Sequence, residues 1–486
     1  MPAFPGFIGG SYRSQSPIVD QERLVNWYVE DQGSEGATAR RVFYPTPGVE
    51  SFATPSSPDA GRANFSDLET SLGRAFCVIG NTFYEYDSDG ILTSRGTVAV
   101  DANPATICTN GSATGEIFIT SGDKGYIFTL STNAFATVLS SGATMGAMLY
   151  GYFLAFDFDG QQFVISDLFD GLTWDATQFA ARTIGSDPWQ TMHTTPYGYI
   201  LLAGTKSSEF WYNSGAFPFP FAVDPSGFVS KGAASHFGVV QVAEASAWLA
   251  RLPGGGYEVV EATGFSPRTI STRALEHRIN QYDAVDDCIA STYSEEGHVF
   301  LILTFPTAGI SHVYDRTTRL WHDRGTWISS TASFTFWQPV FHAFAFEKHL
   351  FLDRSSGTMY HASNAFTLDV DSRPLRRVRR SPAITDDRQW VFHNKFELLL
   401  ETGVASSTGQ GSDPLVMMRK SDNGGKTFGT ERTKSAGKIG EYEAAVRWRR
   451  LSRSKNRVYE ISVSDPIPWR IIEANLDIHR STHAAA

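Results

Sequence analysis

Ser452-Arg453-Ser454-Lys455 has the serine-x-x-lysine spacing with which a lysine can activate a serine nucleophile for acyl transfer. That chemistry needs the pair one turn apart on a helix. Here the four residues fall in a basic turn between two strand-forming runs, so the serine lacks its base. His298, His312, His322, His342 and His349 crowd one stretch, but they belong to different hairpins and have no metal-ligand spacing. They read as core or surface histidines. Cys77, Cys108 and Cys288 form no CxxC or Cys/His pair and read as reduced, buried thiols. The strings HExxH, GxSxG, GxxxxGK[ST] and a strand-to-helix GxGxxG are absent. The expectation is a protein without catalytic residues, cofactor or metal.

Ser421–Phe428, SDNGGKTF, follows the outline of a sialidase Asp-box, with Asn423 in the aspartate position and Phe428 in the tryptophan position. Such a box is a hairpin turn whose polar side chains bond its own backbone, and it does no catalysis. A sialidase-like glycoside hydrolase would also need an arginine triad and a Tyr/Glu pair, which sequence alone does not assemble. The aromatic runs Phe217-Pro218-Phe219-Pro220-Phe221 and Trp321 to Trp337 could stack bases. Blade packing is the simpler reading of both.

The elements around these residues are strands. The single modest helical pattern is Thr272 to Asn280, whereas short aromatic and β-branched runs punctuated by turn residues recur throughout. Thr82–Tyr86 pairs with Ile91–Ser94 across Asp89-Gly90, and Tyr152–Phe156 with Gln161–Ser166 across Asp159-Gly160, because such dipeptides accept the positive φ of a tight hairpin. Seven such units begin near residues 75, 116, 152, 199, 247, 299 and 344. Spacings of that kind mark propeller blades, which cover one another's faces in a circle and leave only short edges. The predicted fold is all-β: a β-propeller of six or seven blades in 61–370, with a β-rich platform built from 371–480 and the N-terminal strands of 1–60. Residues 481–486 read as a disordered tail. Val391–Leu400, Leu415–Arg419, Ala444–Leu451 and Arg457–Val463 are the platform strands, with their own alternating apolar face, so the platform is expected to be removable without emptying the propeller core.

Charge divides along the same line. From residue 371 onward there are 21 Lys and Arg against 14 Asp and Glu, a balance of +7, which leaves −17 for residues 1–370 out of the total of −10. No apolar run approaches the ~18 residues of a membrane span. Arg376, Arg377, Arg379 and Arg380 mark the turn in balance and, with Arg447 and Arg449, are the expected basic side of a subunit interface. Opposite charges on one chain favour head-to-tail contact that weakens with salt.

Several stretches, taken in order, resemble the packaged-DNA stabilisation or tail hub (nozzle) proteins of short-tailed bacteriophages. They are Arg23-Leu24-Val25-Asn26-Trp27-Tyr28 with Pro47-Gly48-Val49; Ile165-Ser166-Asp167-Leu168 with Trp174-Asp175-Ala176; Ser208-Glu209-Phe210-Trp211-Tyr212 leading to Lys231-Gly232; Val313-Tyr314-Asp315 with Leu320-Trp321-His322; and Val446-Arg447-Trp448-Arg449-Arg450-Leu451. The resemblance implies a virion tail protein, assembled in the host cytoplasm as a homo-hexamer below the portal and its adaptor ring. It also implies contacts with tailspikes or tail fibres and with a plug or needle, and a lumen passing double-stranded DNA without reading its sequence. A propeller-type glycoside hydrolase and a propeller interaction scaffold are the alternatives. If a ring encloses DNA, its wall is expected to be acidic so that the duplex slides without phosphate contacts, and the hairpin-turn residues Asp87, Asp89, Asp157, Asp159, Asp167 and Asp170 are the candidates to line it.

Overall fold

The computed structural model describes residues 2–480 apart from 17, 34–38, 68, 70 and 112–114, so the expected tail at 481–486 lies outside the described residues. Among the described residues seven antiparallel blades follow one another, six as separate sheets of four or five strands and the sixth in order as part of a larger sheet, and their innermost strands pack in sequence, with the seventh returning to the first. These strands are Gly61–Ser66, Thr106–Thr109, Met145–Leu149, Trp189–Thr194, Val239–Val242, Ile289–Glu295 and Pro339–Ala345. The propeller therefore has seven blades. Blade five has a split inner edge, Gly232–Ala233 and Val239–Val242, both paired with Ala245–Arg251. Blade seven draws its outer strand, Gly48–Ala53, from the N-terminal part of the chain, and it pairs with Met359–Ser363.

Local chemistry makes the hairpins. Gly122-Asp123, Tyr150-Gly151 and Glu296-Gly297 place two consecutive residues at positive φ, the backbone that matches strand twist across a two-residue turn. Asp87 Oδ1 accepts from the Asp89 and Ile91 amides at 3.0 and 2.9 Å and closes its own turn. The expected helix is present at Arg273–Ile279, with Thr272 Oγ1 accepting from the Leu275 amide at 3.3 Å. It covers the blade five and six junction with Leu275 and Ile279.

Each junction between blades holds one apolar cluster, seven in all: Phe83 against Phe128, Phe118 against Phe153, Phe163 against Trp211, Phe210 with Trp248, Leu249 with Leu301, Phe300 with Phe351, and Cys77 with Leu352. Two of the three thiols, Cys77 and Cys288, are buried in these clusters, and all three are free.

The remaining strands form a two-sheet sandwich. One sheet orders Gln21–Val25, Arg377–Arg380, Asn456–Val463, Leu415–Ser421 and Arg432–Ser435, and it continues the sheet of blade six through the parallel pair Val25 and Asp323. The other orders Trp27–Asp31, Arg41–Pro45, Ile471–Arg480, Val391–Leu400 and Val446–Arg449. Between them lie Leu24, Trp27, Val29 and Phe43 from the N-terminal part and Phe396, Met418, Trp448, Tyr459 and Ile461 from the C-terminal part. The C-terminal strands do not close this core alone: the N-terminal strands supply part of it, and the blade-junction clusters lie apart from it. Strand 446–449 alternates buried Val446 and Trp448 with exposed Arg447 and Arg449, and the alternation stops at Arg450, which turns to φ 57°.

Candidate functional site

The motif Arg23 to Tyr28 is the corner where the two units join. Val25 ends one sheet, Trp27 begins the other, and Asn26 between them sits at φ 57° with no exposed surface. Asparagine tolerates this left-handed backbone better than a branched residue. Its side chain donates to Gly325 O at 2.9 Å and Arg376 O at 2.8 Å and accepts from the Gly325 amide at 3.0 Å. It thereby ties the N-terminal segment, blade six and the start of the C-terminal strands at one point. Trp27 turns into the sandwich core and donates to Trp469 O at 2.9 Å, whereas Tyr28 packs on Phe300 of blade six. Arg324, fully buried, lies over the Trp337 ring at 3.4 Å and donates to Pro47 O at 2.9 Å. A Cβ on Gly48 would meet Phe366 O at 2.5 Å, so the strand that closes the ring can approach only as glycine there.

A second tie crosses the same seam. His298 of blade six meets Asp315 Oδ2 through Nδ1 at 2.8 Å and Glu30 of the sandwich through Nε2. Burial disfavours its cation, but the two carboxylates outweigh it and lift its pKa to about 9. His312 is held differently: burial depresses it, and it bridges Asp323 Oδ1 at 2.8 Å and the Tyr282 hydroxyl at 2.7 Å. His342 and His349 face each other across one hairpin at 3.1 Å. The histidine crowd is thus structural packing, and no group of three or more His, Cys, Asp or Glu suited to a metal occurs among the described residues.

The propeller axis encloses a cavity of about 590 Å³, lined by inner-strand residues that include Met145, Met192, Thr106, Thr191 and Phe341. That volume suits a small molecule and cannot admit a duplex. The hairpin-turn acids lie away from this axis. An even number of strands returns each blade to the face where it began, so second-to-third turns share one face and third-to-fourth turns the other. Asp157 and Asp159 occupy a second-to-third turn, whereas Asp87, Asp89, Asp167 and Asp170 occupy third-to-fourth turns on the opposite face. Asp157 and Asp170 also cap their own turns, accepting from the Asp159 and Leu172 amides at 2.9 Å each.

The arginines divide as well. Arg377 and Arg379 are buried, and Arg379 donates to Phe7 O, Gly10 O and Gly6 O at 2.7, 2.9 and 2.7 Å. These two fasten the chain to itself and are withdrawn from the expected interface set, because a charge run read as surface is here an interior strand. Arg380 grips Glu460 at 2.8 and 2.7 Å, and Arg376 stacks on Trp327 at 4.5 Å. Arg447, paired with Glu397, and Arg449 remain exposed on the strand at the sandwich edge.

The two motifs with a chemical reading have structural roles. In the Asp-box, Ser421 Oγ accepts from the Gly425 amide at 2.9 Å and Asn423 Oδ1 from the Thr427 amide at 3.0 Å, while Phe428 lies beneath Arg380 and Arg419. In the serine-x-x-lysine run, Ser452 accepts from Lys420 at 2.8 Å and Lys455 lies over the Trp390 ring instead. Sequence reasoning missed Asn26, Arg324 and His298 as joining residues.

A family model described as bacteriophage P22 Gp10, beta-propeller, matches residues 8–366, and a second, described as bacteriophage P22 Gp10, beta-sandwich, matches residues 376–479. No curated protein matches. Among solved structures the chain is similar to a virginiamycin B lyase from Staphylococcus aureus, at 10% identity over 65% of this chain and 99% of that one with a TM-score of 0.44. It is also similar to a streptogramin B lyase (10% identity, 65% and 98% covered, TM-score 0.42) and to the N-terminal domain of Nup159 (10%, 69% and 98%, TM-score 0.41). Likenesses this distant carry no functional argument. Matched along both the propeller and the sandwich, the chain belongs to the bacteriophage P22 Gp10 family and is a structural protein of a phage tail.

Proposed function

We propose that the chain forms the homo-hexameric tail hub, or nozzle, below the portal and its adaptor ring. There it extends the DNA channel, retains packaged DNA together with a plug or needle, anchors tail fibres or tailspikes, and conducts the duplex at ejection. It is assembled in the host cytoplasm and ends in the virion. The observation that carries this reading is the family match along both units of the chain.

Two physical features support it. The chain carries −17 before residue 371 and +7 from there on, with exposed Arg447 and Arg449 on the sandwich edge, so repeated copies attract head to tail around a closed ring. The small axial cavity leaves the DNA path to the space between subunits, where a wall carrying turn acids such as Asp87, Asp89, Asp167 and Asp170 repels phosphates within a Debye length of ~8 Å and keeps the duplex free. Quantitative mass spectrometry of purified particles tests the reading. About six copies per particle are expected from a closed six-fold ring, and absence from the particle overturns it. Lysine at the turn acids is expected to slow DNA release, and an unchanged rate overturns the acidic-wall part.

A further inference from the structure

Beside the helix Arg273–Ile279 a cavity of about 410 Å³ opens between that helix, blade six and the N-terminal strand Tyr12–Arg13. Its walls carry Arg13, Arg278, Gln15, Gln281, Ser14 and Tyr282. Close behind them Arg23 adds a third guanidinium and Arg380 a fourth, and the two nearby carboxylates, Asp323 and Glu460, are already engaged, Glu460 by Arg380 and Arg419. His312 donates to Asp323 Oδ1 at 2.8 Å and accepts from the Tyr282 hydroxyl at 2.7 Å, the arrangement a neutral, buried imidazole adopts. Arg278 reaches Asp323 Oδ2 at 3.6 Å, too far for a hydrogen bond.

Charges taken out of water are ordinarily matched by partners. Here the guanidiniums of Arg13, Arg23, Arg278 and Arg380 outnumber the carboxylates Asp323 and Glu460, and Arg13 makes no side-chain hydrogen bond or ion pair among the described residues. Burial and the charge of Arg278 pull the Arg13 pKa down to about 10 and outweigh the attraction of Asp323, as expected where cations outnumber their counter-ions. The amide and hydroxyl groups of Gln15, Gln281 and Ser14 supply further donors around the opening. An anion entering the cavity would meet forked donors shaped for two oxygens and relieve the repulsion behind them.

We propose that this cavity is an oxyanion site that takes a carboxylate or phosphate group between Arg13 and Arg278. Two sources supply that chemistry, an acidic side chain from a neighbouring protein and free inorganic phosphate, and the site stands whether or not the ring forms.

Isothermal titration of the full-length chain at constant ionic strength tests it, with an acetylated triglutamate amide in one arm and inorganic phosphate in the other. Saturable binding of one equivalent is expected in at least one arm. Peptide binding assigns the site to a neighbour's carboxylate, and binding of phosphate alone assigns it to the free anion. Arg13→Gln, which breaks no side-chain hydrogen bond or ion pair among the described residues, is expected to weaken binding at least tenfold, and Arg278→Gln to do the same. Should Arg278→Gln unfold, Arg13→Gln and the anion-induced rise in melting temperature of the parent chain decide the matter. No binding in either arm, or binding untouched by Arg13→Gln, overturns the proposal.

Discussion

The propeller and the sandwich are built from the same kind of strand, but they are held together in opposite ways. Every blade except the seventh is made from consecutive strands, and each junction except the one that closes the ring is an apolar cluster between blades adjacent in sequence. The sandwich gathers strands from 21–45 and 377–480 around one core and ties them with buried polar groups: Asn26, Arg379 and the His298 bridge. Local assembly tolerates substitution blade by blade, whereas assembly from distant segments makes both ends of the chain depend on each other.

Removing 376–480 is the sharpest way to break that comparison. It uncovers Leu24, Trp27, Val29 and Phe43 at once, so the truncated chain is expected to aggregate. Residues 48–366 alone keep the closing strand and all seven junctions and are expected to be soluble and to melt cooperatively. Soluble yield and size-exclusion profiles of the two forms check this, and a well-behaved 1–375 fragment would show that the sandwich strands do not need each other.

Single substitutions sharpen it further. Trp27→Ala empties a fully buried position and is expected to cost about 3–5 kcal/mol in denaturant unfolding. Asn26→Ala leaves the Gly325 amide and the Gly325 and Arg376 carbonyls short of partners and is expected to cost about 2–3 kcal/mol. A cost below about 0.5 kcal/mol would place the joint elsewhere.

The His298 bridge adds a pH signature. A folded-state pKa raised from 6.5 to about 9 means that its contribution is complete below the unfolded value and is lost as pH rises through about 9. His298→Gln is therefore expected to lower the melting temperature at pH 6.5 and to converge on the parent above pH ~9.5. A gap that stays constant across this range would mean the ion pairs contribute nothing. The smallest effect belongs to Arg447→Ala, an exposed pair worth less than about 1 kcal/mol to the isolated chain, which should nonetheless weaken ring assembly at low salt. Unchanged assembly, followed by light scattering across a salt series, would remove Arg447 from the interface.

What the sequence disclosed follows the same division. Hairpins such as 82–94 and 152–166, the helix after Thr272 and the strand Val391–Leu400 were legible because turn residues and alternation are local signals. The unit beginning near 344 was legible, but six and seven blades stayed open because the strand that completes the seventh blade comes from residues 48–53. Arg377 and Arg379 read as surface because nothing in a run of charges reveals the interior strand they occupy or the carbonyls at 6–10 that receive Arg379. Asn26 lies inside the run Leu24 to Glu30, which reads as one strand, and only the structure breaks that run at Asn26 and, with Val25 paired to Asp323, shows it to be a joint.

The closing strand also sets a timetable. Gly48–Ala53 leaves the ribosome early, yet its partner Met359–Ser363 is synthesised about 300 residues later. At bacterial elongation rates the nascent chain waits roughly 15–60 s with the propeller unlatched. Through that interval blades one to six can form as an open arc, and the N-terminal strands remain without the partners that cover them. The circle can close once residue 363 is out, whereas the sandwich waits for strands that run to Arg480, so a chain released before 359 lacks both and one released between 363 and 446 has a closed circle over an unfinished sandwich. The exposed arginines of the edge strand Val446–Arg449 are therefore among the last parts of the fold to be set in place.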